Sequence, residues 1–238
     1  MGGLFSAYAW GMVWKFRSTF LLGLANTAAS AAAGIILSLI LGIIFGLMAT
    51  SEKPVLRAIA RVYVEFIQNT PVMLQVCFLY YFLAFSQHSI GILPTGMIGL
   101  GVYHGAYVAE VFRAGITAVP KGQFEAAKSQ GFNYFEEMYY IILPQTVKII
   151  LPPMVNQVVN LIKNTSCLYI IGGTDLIAQT YSFVTGEITG GAYGPAYFVA
   201  GALFFVVCYP LSRLATNWEK RLKAREVATV AKAETAAV

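Results

Sequence analysis

The sequence predicts an all-α membrane protein with about five transmembrane helices, and three observations carry that prediction. Only 11% of the 238 residues are charged while 58% are hydrophobic, against about 25% charged in soluble domains. The charges are also unevenly spread, with none between Arg17 and Glu52, between Glu65 and Glu110, or between Glu187 and Arg213. A helix crosses a hydrocarbon core of about 30 Å with roughly 20 apolar residues. The first and third intervals therefore each hold one crossing, and the second holds two with a turn. Surface helices of a soluble core would carry charge toward water at helical spacing, and these intervals carry none.

Residues 1–18 read as an external interfacial segment, with Tyr8, Trp10, Trp14 and Phe16 at headgroup level. Lys15 and Arg17 follow the apolar part instead of preceding it, which does not fit a cleaved signal peptide. The transmembrane domain runs over 19–218, with spans near 19–49, 62–86, 94–118, 146–172 and 194–216. The first is rich in small residues, with Gly42 and Gly46 at a spacing that lets helix backbones approach closely in lipid. Ser86-Gln87-His88 through Pro94 forms a short polar turn. The stretch 174–195, broken by Gly186, Gly190, Gly191, Gly194 and Pro195, cannot be one straight helix. Residues 219–238 form a polar, alanine-rich tail, frayed after Lys223.

Charge placement orients the chain. Lys53, Arg57 and Arg61 lie between spans one and two. Arg113, Lys121, Lys128 and Lys148 lie between spans three and four or at their ends, and six more basic residues from Arg213 to Lys232 follow span five. Thirteen of the sixteen basic residues thus sit on one side. The positive-inside rule makes that side cytoplasmic, with the N-terminus outside. Cys77, Cys167 and Cys208 all lie in apolar segments without a CxxC pair, and read as small buried hydrophobes. No residue set suggests catalysis or metal binding: His88 and His104 stand isolated.

The loop between spans three and four is the most informative stretch. Pro120 opens a helix of about two or three turns that Gly131 ends. A helix that short needs something to pack against. An aromatic run follows (Phe132, Tyr134, Phe135, Tyr139, Tyr140), and the chain re-enters the membrane at Ile141-Ile142-Leu143-Pro144. Glu125-Ala126-Ala127, then Gly131, Ile141 and Leu143-Pro144, with gaps of three, nine and one residues, resemble the EAA loop of ABC-importer permeases without a break. Four further segments are similar to the polar amino-acid subfamily, the histidine, glutamine, glutamate and arginine permeases. They are Gln68-Asn69-Thr70-Pro71 with Gln75, the run Tyr107 to Ile116, Leu143-Pro144-Gln145, and Lys163-Asn164-Thr165-Ser166. One departure is Gln68, where that family usually carries Arg.

The resemblance implies the type I ABC importer transmembrane fold in a bacterial plasma (inner) membrane, translocating polar amino acids. It also implies a second permease subunit, identical or paralogous, two cytoplasmic ATPase subunits and an external binding protein. In that family the short loop helix, here within 120–144, docks on the ATPase, so Glu125, Ala126, Ala127 and Gly131 become the coupling residues. The chain has no GxxxxGK[ST] loop. Its expected role is therefore that of a transport subunit, not an enzyme, without a cofactor of its own, and ATP is bound by the partners.

Ionisable residues inside spans are costly, about 2.5–3.5 kcal/mol each on insertion scales. Glu110 and Lys163 are accordingly candidates to meet the ammonium and carboxylate of an amino acid, with a purely structural pairing equally open. Their depths, about 10 Å apart, do not favour a simple clamp. Arg113 reads as an anchor at the membrane surface, and Glu65 as the partner of Arg61 one turn earlier. Thr70, Gln75, Asn164 and Ser166 are neutral groups that either line a pathway or join helices. Asp175 reads as a solvated loop charge near the outer mouth. An ion-driven secondary transporter would show internal repeats and more spans, and a membrane enzyme would cluster its His, Asp or Cys residues.

Overall fold

In the computed structural model, which describes residues 4, 6–187 and 191–236, every long element is a helix. Residues 1–3 and 5 of the expected interfacial segment, and 237–238 of the expected tail, lie outside the described residues. Helix α1 (Ala7–Lys15) starts at Ser6, whose hydroxyl accepts from the Ala9 amide, and buries Ala9 and Val13 while leaving Tyr8 and Trp14 exposed. After Phe16 comes α2 (Arg17–Thr50), then α3 (Pro54–Gln68), α4 (Val72–Phe85) and α5 (Ile92–Thr117). A short α6 (Lys121–Ser129) and α7 (Tyr134–Glu136) lead through a π-helical stretch (Glu137–Ile142) into α8 (Leu143–Asn164). A 3₁₀ turn (Thr165–Ile171) ends that run, followed by α9 (Leu176–Thr185) and α10 (Tyr193–Ala236).

Small residues decide which helices touch. Helix α2 buries Gly23, Thr27, Ser30, Gly34, Ser38, Gly42 and Gly46 along one stripe. A Cβ on Gly42 would collide with Val108, and one on Gly46 would stand 2.6 Å from the Phe112 side chain. In return, Leu37 and Leu41 cover Gly101 and Gly105 of α5. The pairings rise together in number, so α2 and α5 run parallel, and the chain must recross between them. On the other flank, Leu168 meets Gly96 and Ile150 meets Gly115, so α8 runs antiparallel to α5. Val159 and Ile162 of α8 pack beside Cys208, and Lys148 beside Trp218, which sets α10 antiparallel to α8. Helices α2 and α5 thus run one way and α8 the other, with α10 antiparallel to α8.

By length and apolarity Arg17–Thr50, Tyr134–Ile171 and Tyr193–Leu222 qualify as spans, with α3 and α4 together as a fourth. Helix α5 is more polar, and its position explains why that is tolerated. It has 26 residues, enough to cross, and it buries thirteen of them against α2, α4 and α8. Its Thr95 and His104 meet protein in place of lipid.

Three expectations need correction. The second span is not one helix: α3 and α4 meet at 101°. Pro71 disfavours helical backbone at Thr70, and side chains take over the freed carbonyls. Thr70 Oγ1 donates to Phe66 O and Gln75 Nε2 to Ile67 O, each at 2.9 Å, while Glu65 O keeps its Asn69 amide bond and gains the Asn69 side chain at 2.7 Å. Asp175 is not a solvated charge but wholly buried, with Oδ2 capping α9 at the Ile177 amide. The tail does not leave helical geometry after Lys223, since α10 continues to Ala236. Its alanines, lysines and glutamates are good helix formers. The broken stretch 174–195 does contain the short α9, packed on α2 where Leu176 meets Gly23; residues 188–190 lie outside the described residues. All three cysteines are free, Cys167 and Cys208 buried and Cys77 half-buried.

Candidate functional site

The loop helix α6 is fixed from three sides. Pro120 precedes it, and at its far end Gly131 takes the left-handed conformation (φ 82°). There the Phe132 amide donates to Ala127 O at 3.2 Å and the Gly131 amide to Lys128 O at 3.0 Å, which closes a Schellman cap. Phe124 packs on Ile116, Val119, Met138 and Ile142, and Ala127 is buried. Glu125 and Ala126 face outward, as do Lys121, Lys128 and Ser129. The buried side of α6 thus seats it on the bundle, and the opposite side is a small, smooth, mostly polar surface. Asn133 and Glu136 then form a capping box that restarts the helix.

Two polar contacts tie α6 to its surroundings. Gln145 Nε2, near the start of α8, donates to Gln123 Oε1 at 3.2 Å, and Lys128 Nζ lies 3.9 Å from Glu52 Oε1. The π-helical stretch sits between α7 and α8, where Pro144 offers no amide to the Tyr140 carbonyl. π-helical turns are frequent at functional sites.

The candidate pathway residues separate into three places. Thr70 and Gln75 hold the α3–α4 elbow: Gln75 Nε2 donates to Thr70 Oγ1 at 2.6 Å, Ile67 O at 2.9 Å and Thr70 O at 3.1 Å. Lys163 and Asn164 line a cavity of about 290 Å³ with Tyr103, His104, Tyr107, Gln157 and Asn160. Ser166 bonds back to Lys163 O at 2.8 Å. Glu110 lies elsewhere, in a cavity of about 430 Å³ between α3 and α5 that shares no lining residue with the first. It is paired with Arg113, whose Nε and Nη2 reach its two oxygens at 2.9 and 2.5 Å. The expected Arg61–Glu65 pair does not form, although both residues line that second cavity. Arg N-terminal to Glu is the weaker order on a helix, and an exposed pair of this kind contributes little.

His104 is not isolated. The Asn164 amide nitrogen lies 3.1 Å from its Nε2, and its Nδ1 is buried without a hydrogen-bond partner. Gln157 and Asn160 were not among the residues singled out from sequence, and His104 was read there as isolated. Their signal was present as polar positions at helical spacing: 157, 160 and 164 on α8, and 103, 104 and 107 on α5.

Residues 38–224 match the family model described as "binding-protein-dependent transport system inner membrane component". That match takes in α6, the elbow and both cavities. The chain belongs to this permease family. The permease is 36% identical over 207 residues to the probable glutamine ABC transporter permease protein GlnM of Bacillus subtilis (strain 168), covering 87% of this chain and 94% of GlnM. It is 32% identical over 188 residues to the probable GlnP of the same organism, covering 79% and 86% of the two chains. A solved structure described as an amino acid ABC transporter with histidines superposes with a TM-score of 0.79 at 31% identity, covering 88% of the permease and 96% of that chain. The MetNI methionine ABC transporter, at 15% identity and a TM-score of 0.71, shares the fold. The permease therefore has the type I ABC importer transmembrane fold and is embedded in a membrane. Its family works with an ATPase and a substrate-binding protein.

Proposed function

We propose that this permease moves polar amino acids into the cytoplasm of a bacterium through the plasma membrane, paired with a second permease subunit, identical or paralogous. The observation that carries the reading is one continuous helical run. From Tyr134 to Ile171 it starts beside α6 and ends at the polar cavity lined by Lys163 and Asn164. A displacement of α6 reaches that cavity through one element, without crossing a loop.

In this reading the basic end of the bundle is cytoplasmic and the N-terminus lies outside. Two ATPase subunits bind and hydrolyse ATP there, and the outward face of α6, with Glu125 and Ala126, seats in a groove of one of them. Ala127 and Gly131 hold that face in position. An external binding protein delivers the amino acid at the opposite end. Neutral donors and acceptors in the cavity, with the single Lys163 ammonium, suit a substrate with a carboxylate and a polar side chain. The names of the relatives support the same class. The chain supplies no catalytic group, metal or cofactor; it converts the ATPase cycle into helix motion.

The test is ATP-dependent uptake of labelled amino acids into vesicles bearing the permease, its ATPase and its binding protein. Uptake that requires all three supports the reading and names the substrate. Uptake by the permease alone under an ion gradient, indifferent to ATP, would contradict it in favour of a secondary transporter.

A further inference from the structure

The cavity between α3 and α5 holds two opposite charges without a partner. Its walls carry Arg57, Arg61, Glu65 and Gln68 from α3, and Glu110 and Arg113 from α5. Glu110 and Arg113 neutralise each other, and the Arg57 guanidinium donates to Ser51 O at 2.9 Å and Glu52 O at 3.0 Å. That leaves the Arg61 guanidinium and the Glu65 carboxylate. They stand one turn apart on one face of α3, open to the cavity and not bonded to each other. The opposite face of α3 is an exposed apolar stripe of Val55, Ile59, Val62 and Phe66. Arg61 and Glu65 are themselves exposed, on the side of α3 that borders the hollow and away from its apolar stripe, so the hollow they line is aqueous.

We infer that Arg61 and Glu65 form a second binding site, for the zwitterionic head of a free α-amino acid, with Arg61 taking the α-carboxylate and Glu65 the α-ammonium. A guanidinium presents a planar pair of donors that matches a carboxylate. At about 430 Å³ the hollow falls within the range of ligand pockets. The inference rests on the amino-acid reading above, in which the cavity lies at the cytoplasmic end and the site receives substrate on its way out. It reads only the groups common to α-amino acids, so amino acid accumulated inside can occupy it and slow further import.

The experiment is equilibrium dialysis of radiolabelled L-glutamine against the complete permease–ATPase complex in nanodiscs without the binding protein. Wild type, Lys163→Ala and Arg61→Ala/Glu65→Ala are compared, with L-glutaminamide and N-acetyl-L-glutamine as competitors. The expected result is a binding component that persists in Lys163→Ala and weakens by about a hundredfold in the double variant, the size of two lost charge-assisted hydrogen bonds. For that component each analogue competes about tenfold less well than L-glutamine, and this wild-type series holds even where the double variant fails to fold. Binding by the double variant equal to wild type, or competition by both analogues equal to that of L-glutamine, overturns the site. Uptake is scored separately: binding lost at neither position with uptake intact removes this site alone, whereas absence of uptake by the wild-type assembly removes the transport reading.

Discussion

Asp175 carries a carboxylate with no exposed surface, one oxygen capping α9 and the other, Oδ1, buried without a hydrogen-bond partner. Burial pushes its pKa up from 3.8 to about 6, against the pull of the α9 amides. Folding therefore takes up a proton between about pH 4 and pH 6. The fold is most tolerant of this group below pH 3.8, and that tolerance is lost as pH rises through 6. Asp175→Asn keeps a good helix cap and removes the charge. The variant is expected to melt roughly 2–4 °C higher than wild type at pH 8, with the gap closing toward pH 4, in thermal scans of the detergent-solubilised protein. A constant gap across that range would show that the buried charge is not its cause. Residue identity alone gave little warning here, because an Asp in a Gly-rich loop reads as solvated until α2 is seen to cover it. The His104–Asn164 bond was hidden for a similar reason, since its partners are 60 positions apart.

At the scale of elements, the α3–α4 elbow depends on three bonds from a single amide. Gln75→Leu removes all three and strands the Thr70 carbonyl, an expected loss of about 1–3 kcal/mol for an acceptor left unpaired. The measurement is the unfolding midpoint, and an unchanged midpoint would mean that water replaces Gln75. The Asn69-Thr70-Pro71 signal was visible, but an apolar-length argument counts residues and is blind to direction, so two helices at 101° passed as one. The loop helix α6 was far more legible. Its features are local: a proline before the helix, a glycine after it, and alanines between. What sequence left out was the brace from Gln145 to Gln123, 22 positions apart.

The whole molecule is organised by α2 and α5, whose glycines accept each other's bulky residues. Gly42→Leu would drive a side chain into Val108, and overpacking of this kind costs about 1–3 kcal/mol. The expected outcome is a lower yield of folded, monodisperse protein by size-exclusion chromatography, while a leucine at Gly201, which has nothing within 4 Å of its Cβ, is tolerated. The apolar helices were legible because lipid imposes them on composition. The two separate cavities were not, since they depend on which helix faces pack. The central claim is that α6 passes the work of the ATPase into the bundle. The most direct test replaces Gly131 by Asp in the assembled transporter, where the side chain must accept φ 82° in open space, and measures ATP-dependent uptake and ATP hydrolysis in the same vesicles. The protein is expected to insert and the ATPases to turn over while uptake falls to the level seen without ATP. Uptake per ATP equal to that of wild type would contradict it.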